Sequence, residues 1–138
     1  NADLVISLHP YAYKHLVTRG MRMDNYRVVT NGIVIEEWDD NYYNLPEPHN
    51  TTIKNLKNQN KFLLGYAGGH ALSNGLDLLV NLANSVKTDK SVHFVFVGDG
   101  VEKQNLEKMA SSLQLTNITF LPPIPKNTIK TFYWHLFF

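Results

Sequence analysis

The stretch Lys61–Val80, KFLLGYAGGHALSNGLDLLV, decides the fold. Phe62–Ala67 is a continuous apolar run of strand length, the pattern of a strand buried on both faces. Small residues follow it. From Leu76 onward the apolar positions Leu76, Leu79, Val80, Ala83 and Val86 fall on one helical face, with Asn74 expected as the N-cap and Asp77 three residues on. Strand, glycine loop and amphipathic helix in that order are how a doubly wound α/β domain builds a seat for a phosphate. Glycine lets the backbone approach an anion closely. A helix N-terminus offers unpaired N–H groups, and its dipole favours negative charge by roughly 0.3–1 kcal/mol at exposed sites.

Working outward, Val92–Val97 (VHFVFV) is the next strand, and Asp99 with Glu102 resembles a capping box opening a helix whose apolar face is Leu106, Met109, Ala110 and Leu113. Ile118–Leu121 is a further strand ending in Pro122-Pro123, and Ile129–Trp134 starts another helix. Upstream, Leu4–Leu8 reads as a buried strand, Tyr13, Leu16 and Val17 keep helical spacing, and Tyr26–Val29 is strand running into the turn pair Asn31-Gly32. Asp39–Asn60 is polar, rich in Asn and carries Pro46 and Pro48, so it is expected to be a linker. Residues 1–38 then end a first domain, 39–60 join, and 61–138 form a second. The order predicts an α/β, Rossmann-like parallel sheet with helices on both faces.

Composition narrows the function classes. The 138 residues suffice for a modest core, and 13 Lys+Arg against 12 Asp+Glu give a net charge of +1 with no basic stripe for nucleic acid. The absence of cysteine excludes disulfides and thiolate metal sites. No apolar run approaches the roughly 18 residues needed to span a bilayer. The closing FYWHLFF reads as the interior of a domain rather than its end, which gives an expectation that the chain is cut within a domain. That aromatic tail and the strand–helix–strand of residues 3–35 are expected to drive self-association.

Gly68, Gly69, His70, Asn74 and Gly75 lie on the turn after strand Phe62–Ala67, at the strand ends where such sheets bind ligands. The alternative is a tight turn with no ligand. Gly98-Asp99-Gly100 ends the next strand at the same edge; Asp99 reads as a helix cap, and Gly98 leaves room beside the pocket. His70 is the titratable side chain of the glycine loop and has the chemistry to donate to a phosphate oxygen or a sugar hydroxyl, the alternative being a solvated loop histidine. His9 reads as a local cap, and His15, His49, His93 and His135 have no metal-site spacing. The strict GxGxxG fingerprint, a Walker lysine and a Gly-x-Ser-x-Gly elbow do not occur.

Four stretches together resemble family 4 of the retaining glycosyltransferases, which have the two-domain GT-B fold: ADLVISLHPYAYKHLVTRG, YRVVTNGIVIEEW, LGYAGGHALSNGLDLLV and FVFVGDGVEKQNLEKMASSLQLTNITFLPPIP. The second is similar to the family's I-x-V-I-P-N-G-V-D-x-x-x-F, the last to its L-V-G-D-G…N-V-x-F-L-G-x-V. The resemblance implies an incomplete part of a GT-B fold, and a sugar moved from a nucleotide donor, a UDP-sugar by default, to a glycan or lipid-linked acceptor with retention at the anomeric carbon. It implies bacterial surface polysaccharide synthesis, a cytoplasmic location at the inner membrane face, and no metal, since no Asp-x-Asp motif occurs.

By the same resemblance Gly68 and Gly69 match the loop beside the pyrophosphate, with His70, Asn74 and Gly75 on that side. Gly98, Asp99, Pro122 and Ile124 belong to the nucleotide base and ribose side, Ile124 matching the position whose backbone meets the base. Pro122 stands where the family usually has glycine. Many members carry an arginine and a lysine where this chain has Gly69 and Asn74, so the cationic clamp is missing; a subset is similar to this chain in its Y-A-G-x-H loop. The family's Glu-x7-Glu motif would lie beyond residue 138, so these residues alone are expected to be inactive. A nucleotide-sugar 2-epimerase and a non-catalytic Rossmann-like interaction module are the competing readings.

Overall fold

The computed structural model describes residues 2–38 and 43–137. They fall into two compact units, one within Asn1–Asp39 and one within Asp40–Phe138. In the first, β1 (Val5–Ser7) pairs in parallel with β2 (Tyr26–Val28), Val5 opposite Tyr26 and Ser7 opposite Val28, with the short helix α1 (Tyr13–Val17) between them in sequence. Tyr26 anchors this unit: it is buried, its hydroxyl donates to His9 O at 2.6 Å, and its ring meets Tyr13 edge-on. Leu4, Ile6, Leu8, Val28 and Val29 remain exposed on the sheet.

The second unit contains α2 (His49–Asn58), β3 (Phe62–Ala67), α3 (Leu76–Ser85), β4 (Val92–Val97), α4 (Lys103–Ser112), β5 (Ile118–Leu121) and α5 (Ile129–Phe137). The three strands form one parallel sheet in the order β3-β4-β5, with Phe62 opposite Val92 and Ala67 opposite Val97, then Phe94 opposite Ile118 and Val97 opposite Leu121. Side chains alternate across a strand, so β4 feeds two cores. Val95 and Val97 join Leu63 and Leu121 under α2 and α5, which supply Ile53, Leu56 and Phe132. Phe94 and Phe96 face the other way, under α3 and α4, which supply Leu76, Val80, Ala83, Leu106 and Ala110. Helices therefore cover both faces of the sheet, and the central strand is apolar at every position but His93, whose ring Nε2 pairs with Thr119 Oγ1 at 2.8 Å.

Two expectations need correction. The polar segment 39–60 is not a linker throughout: residues 39–42 lie outside the described residues, but His49–Asn58 is helix α2, and Leu45, Ile53 and Leu56 are core residues. Its Asn-rich composition has poor helix propensity; two apolar side chains three residues apart, packed on the sheet, override it. The run Leu4–Leu8 is also not the buried strand expected of it, since Leu4, Ile6 and Leu8 are exposed. The C-terminal aromatics fold as the expected helix. They form α5, where Phe132 is 0% exposed and Tyr133 and Leu136 pack beside it, while Trp134 and Phe137 stay at the surface.

Phe132 spans the contact between α5 and β3, reaching within 3.0 Å of where a Cβ on Gly65 would stand. Truncation would leave a cavity that the sheet cannot close. Phe132→Ala is expected to lower the unfolding free energy by about 3–5 kcal/mol in urea titration; a loss under about 1 kcal/mol would show that α5 is not part of the core.

Candidate functional site

All three strands of the second unit point the same way, so their carboxyl ends meet at one edge, with Ala67, Val97 and Leu121 in a single row. The turns that leave these residues enclose a cleft of about 250 Å³. Ala67, Gly68 and Gly69 form one wall, Val97, Gly98 and Asp99 the floor, and Pro123, Ile124 and Ile129 the other wall. Of the residues expected at the site, Gly68, Gly69, Gly98, Asp99 and Ile124 thus line one cavity.

The wall is built by an unusually close approach of two turns. His70 N–H donates to Asp99 O at 2.8 Å, and Glu102 N–H donates to His70 O at 2.9 Å. A Cβ on Gly98 (φ +145°) would stand 1.9 Å from Gly68 O, and one on Gly100 (φ +154°) would stand 2.5 Å from His70 O. Both positions need glycine for space and for backbone angle. A Cβ on Gly69, in contrast, meets nothing within 4 Å.

Other expected residues lie elsewhere. His70 is neither a solvated loop side chain nor part of the cleft wall; it is 0% exposed, caged by Tyr66, Phe96 and Phe120 at ring-centroid distances of 6.1, 6.4 and 6.3 Å. Asn74 is not the N-cap of α3: Gly75, at φ +60°, takes that position with no side-chain cap. Asn74 Nδ2 turns back, donating to Gly69 O at 2.6 Å and to the Tyr66 hydroxyl at 3.1 Å. Asn74, Gly75 and Leu76, at the N-terminus of α3, are not among the residues lining this cleft. The capping box also differs, since Asp99 Oδ1 accepts from Gly100 N–H at 2.8 Å and Glu102 is the N-cap residue of α4. Pro122 stands behind the wall, its carbonyl accepting from His49 Nε2–H at 2.7 Å.

The backbone donors of the cleft are unevenly used. Gly68 N–H is taken by Val97 O and Gly98 N–H by Leu121 O. The N–H groups of Gly69, Asp99 and Ile124 have no protein acceptor among the described residues. Unpaired amides lining a concave surface are chemically suited to receive an anion. Sequence reasoning missed Lys103. From the first turn of α4 its Nζ reaches back to donate to Gly98 O at 3.0 Å and lies 3.5 Å from Leu121 O, placing a cation behind the cleft floor. The signal available was a lysine five residues after Gly98, a span its flexible stem can bridge. His49 was also missed; it is fully buried, and its bond to Pro122 O ties α2 to the wall formed by the β5–α5 turn.

A three-stranded parallel sheet covered by helices, with a glycine-walled cleft at its carboxyl edge, defines a Rossmann-like α/β domain. The family of glycosyl transferases group 1 matches residues 49–135, and the chain belongs to that family. No curated protein sequence matches it. Among solved structures, HepE of Anabaena in complex with UDP is similar with a TM-score of 0.68 and 20% identity, over 94% of this chain and 35% of that one. A mutant of S. aureus TarM, in complex with fondaparinux, α-GlcNAc-glycerol and UDP, gives 0.60 and 22%, over 88% and 22%. WaaG, described as a glycosyltransferase involved in lipopolysaccharide biosynthesis, gives 0.64 and 13%, over 91% and 34%. The fold is that of a GT-B glycosyltransferase domain, and the chain spans about a third or less of the length of these structures.

Three histidines are held below the ordinary value of 6.5. His70 is lowered by burial and by Lys103 against the opposing pull of Asp99 and Glu107, His93 by burial and Lys61, and His135 by burial, Lys57 and Lys54. Below 6.5 the unfolded chain therefore binds more protons than the folded one, so stability falls as pH drops from there towards the folded values and is insensitive to these groups above it. The thermal midpoint is expected to be level between about pH 8 and 7 and to decline from about pH 6.5 to 5. A midpoint that holds or rises over the lower interval would contradict the burial of these rings.

Proposed function

We propose that the second unit is the donor half of a retaining glycosyltransferase of family 4, taking a nucleotide-sugar, a UDP-sugar in the first place, in the cleft at the carboxyl edge. The observation that carries this reading is the glycine-walled cleft with free N–H groups at Gly69, Asp99 and Ile124 and the Lys103 ammonium behind its floor. The diphosphate lies at the Gly68–Gly69 end. The ribose and base lie toward Gly98, Asp99 and Ile124, where a carboxylate can accept from hydroxyls and a backbone amide can meet the base edge. The cleft volume is just under the roughly 300 Å³ at which ligand pockets begin, so one side of the donor stays open to an acceptor.

In the reaction the anomeric C–O bond to the diphosphate breaks and a C–O bond to the acceptor hydroxyl forms. The acceptor's proton leaves toward the departing diphosphate. Preorganised dipoles and a fixed cation stabilise charge developing on that leaving group without reorganising. No metal is required in this scheme. A glycan or lipid-linked acceptor, a role in bacterial surface polysaccharide synthesis and work at the cytoplasmic face of the inner membrane complete the reading; HepE and TarM, solved with UDP, and WaaG, named for lipopolysaccharide biosynthesis, support it by likeness.

UDP-glucose titration calorimetry on the chain tests the reading. Binding is expected, and Gly69→Asp, which points its carboxylate into open space rather than into the fold, is expected to weaken it at least about tenfold, or 1.4 kcal/mol. Equal affinity in the variant would remove the diphosphate from this wall. Failure of UDP-, GDP- and ADP-sugars to bind would favour an interaction module.

A further inference from the structure

We propose that His70 is a positioning residue of the donor cleft: its neutral, buried ring and its backbone hold the Gly68–Gly69 loop against the Gly98–Gly100 turn, and protonation of the ring loosens that wall. The effect on ligand binding rests on the donor reading above; the mechanical role rests on geometry alone. The peptide joining Gly69 to His70 is fixed at both ends. Its carbonyl accepts from the Tyr66 hydroxyl at 2.9 Å and from Asn74 Nδ2 at 2.6 Å, and its N–H donates to Asp99 O at 2.8 Å. The next carbonyl, that of His70, accepts from Glu102 N–H, and the same peptide lies where a side chain on Gly100 would stand. The ring Nε2 comes within 3.4 Å of the position a Cβ on Gly98 would occupy, so the ring supports a floor residue of the cleft from beneath.

Both ring nitrogens are buried and have no hydrogen-bond partner among the described residues. A neutral imidazole leaves one N–H and one acceptor nitrogen unpaired there, a cost smaller than that of a buried charge. An imidazolium needs acceptors for two N–H groups, and Tyr66, Phe96 and Phe120 supply none to it. The charged groups facing the ring are Asp99 from the turn and Lys103 and Glu107 from α4, with the Tyr66 phenol the titratable group on β3; β4 and β5 present phenylalanines. A proton therefore drives the ring toward water, and its backbone bonds, one residue from the free Gly69 amide, go with it.

Two measurements on the full chain decide the point. The first needs no ligand: an NMR pH titration of the His70 ring nitrogens together with the amides of Gly69, Gly98, Gly100 and Glu102. The ring is expected to titrate below 6.5, and the four amides to shift with the same midpoint. A ring that titrates at its ordinary value, or without moving those amides, overturns the proposal. The second uses UDP-glucose, whose diphosphate is a diester and lacks the monoester proton that titrates near pH 6. From about pH 7.5 to about pH 5 the wild-type chain is expected to lose about tenfold in affinity, and His70→Phe, measured against its own affinity at pH 7.5, less than about twofold.

An unchanged slope in His70→Phe overturns the proposal. Should that variant not fold, Gly100→Ala takes its place: weakened binding at every pH supports the role and wild-type affinity overturns it. If wild-type chain binds no UDP-glucose at any pH, the donor reading fails, while the first titration still decides what His70 does.

Discussion

The close approach of two βα turns at the carboxyl edge is the constraint on which the rest of the site depends. Parallel pairing of β3 with β4 puts their last residues side by side, so the turns that follow must share one small volume. They share it because Gly98 and Gly100 have no side chains to collide with Gly68 O and His70 O. Backbone hydrogen bonds then replace van der Waals contact as the cement between turns. The free amides of the cleft are what this arrangement leaves over: donors that would otherwise pair across the turns are consumed at His70 and Glu102, and those at Gly69, Asp99 and Ile124 remain.

The two-faced core explains why a histidine sits under that wall. Phe96 and Phe120 project to the α3–α4 side, meeting edge-to-face at 5.3 Å, and leave a space above them at the strand ends. A flat ring fits it. His70 fills the space from the loop side, so packing of the core and shape of the cleft are coupled through one residue. That coupling also explains why the GDG turn and the G-x-H loop occur together in this chain: each is sterically the other's complement.

The fold was legible in the sequence where burial dictates composition. Phe62–Ala67, Val92–Val97 and Ile118–Leu121 read as strands from their apolar runs, and the structure has strands at those residues. The glycine walls were legible for the same kind of reason, since glycine at the end of a buried strand signals close approach. What sequence could not show depends on where long or polar side chains go in three dimensions. The helix of residues 49–58 is held by tertiary packing against a local pattern that reads as linker. Asn74 has the chemistry of a cap but finds a stronger partner in Gly69 O, because Gly75 turns the chain left-handed between it and the helix. His70 had a solvated loop side chain as its alternative reading because small and polar residues flank it, yet two of its three ring contacts, Phe96 and Phe120, come from strands far along the chain.

Charge orders the cleft. Without a cation on the loop itself, attraction for an anion comes from amide dipoles and from Lys103, whose ammonium is tethered to Gly98 O and lies close to Leu121 O at the ends of two strands. A lysine so held is fixed in place, and part of its field is spent on those carbonyls, so it biases the site rather than gripping a phosphate. Asp99 on the floor repels an anion from its own end of the cleft. For the proposed donor these charges favour the diphosphate at Gly68–Gly69 and the hydroxyl-bearing parts toward Asp99 and Ile124. Its affinity then depends on how firmly the Gly69 amide is held, which returns the question to the buried ring beneath it.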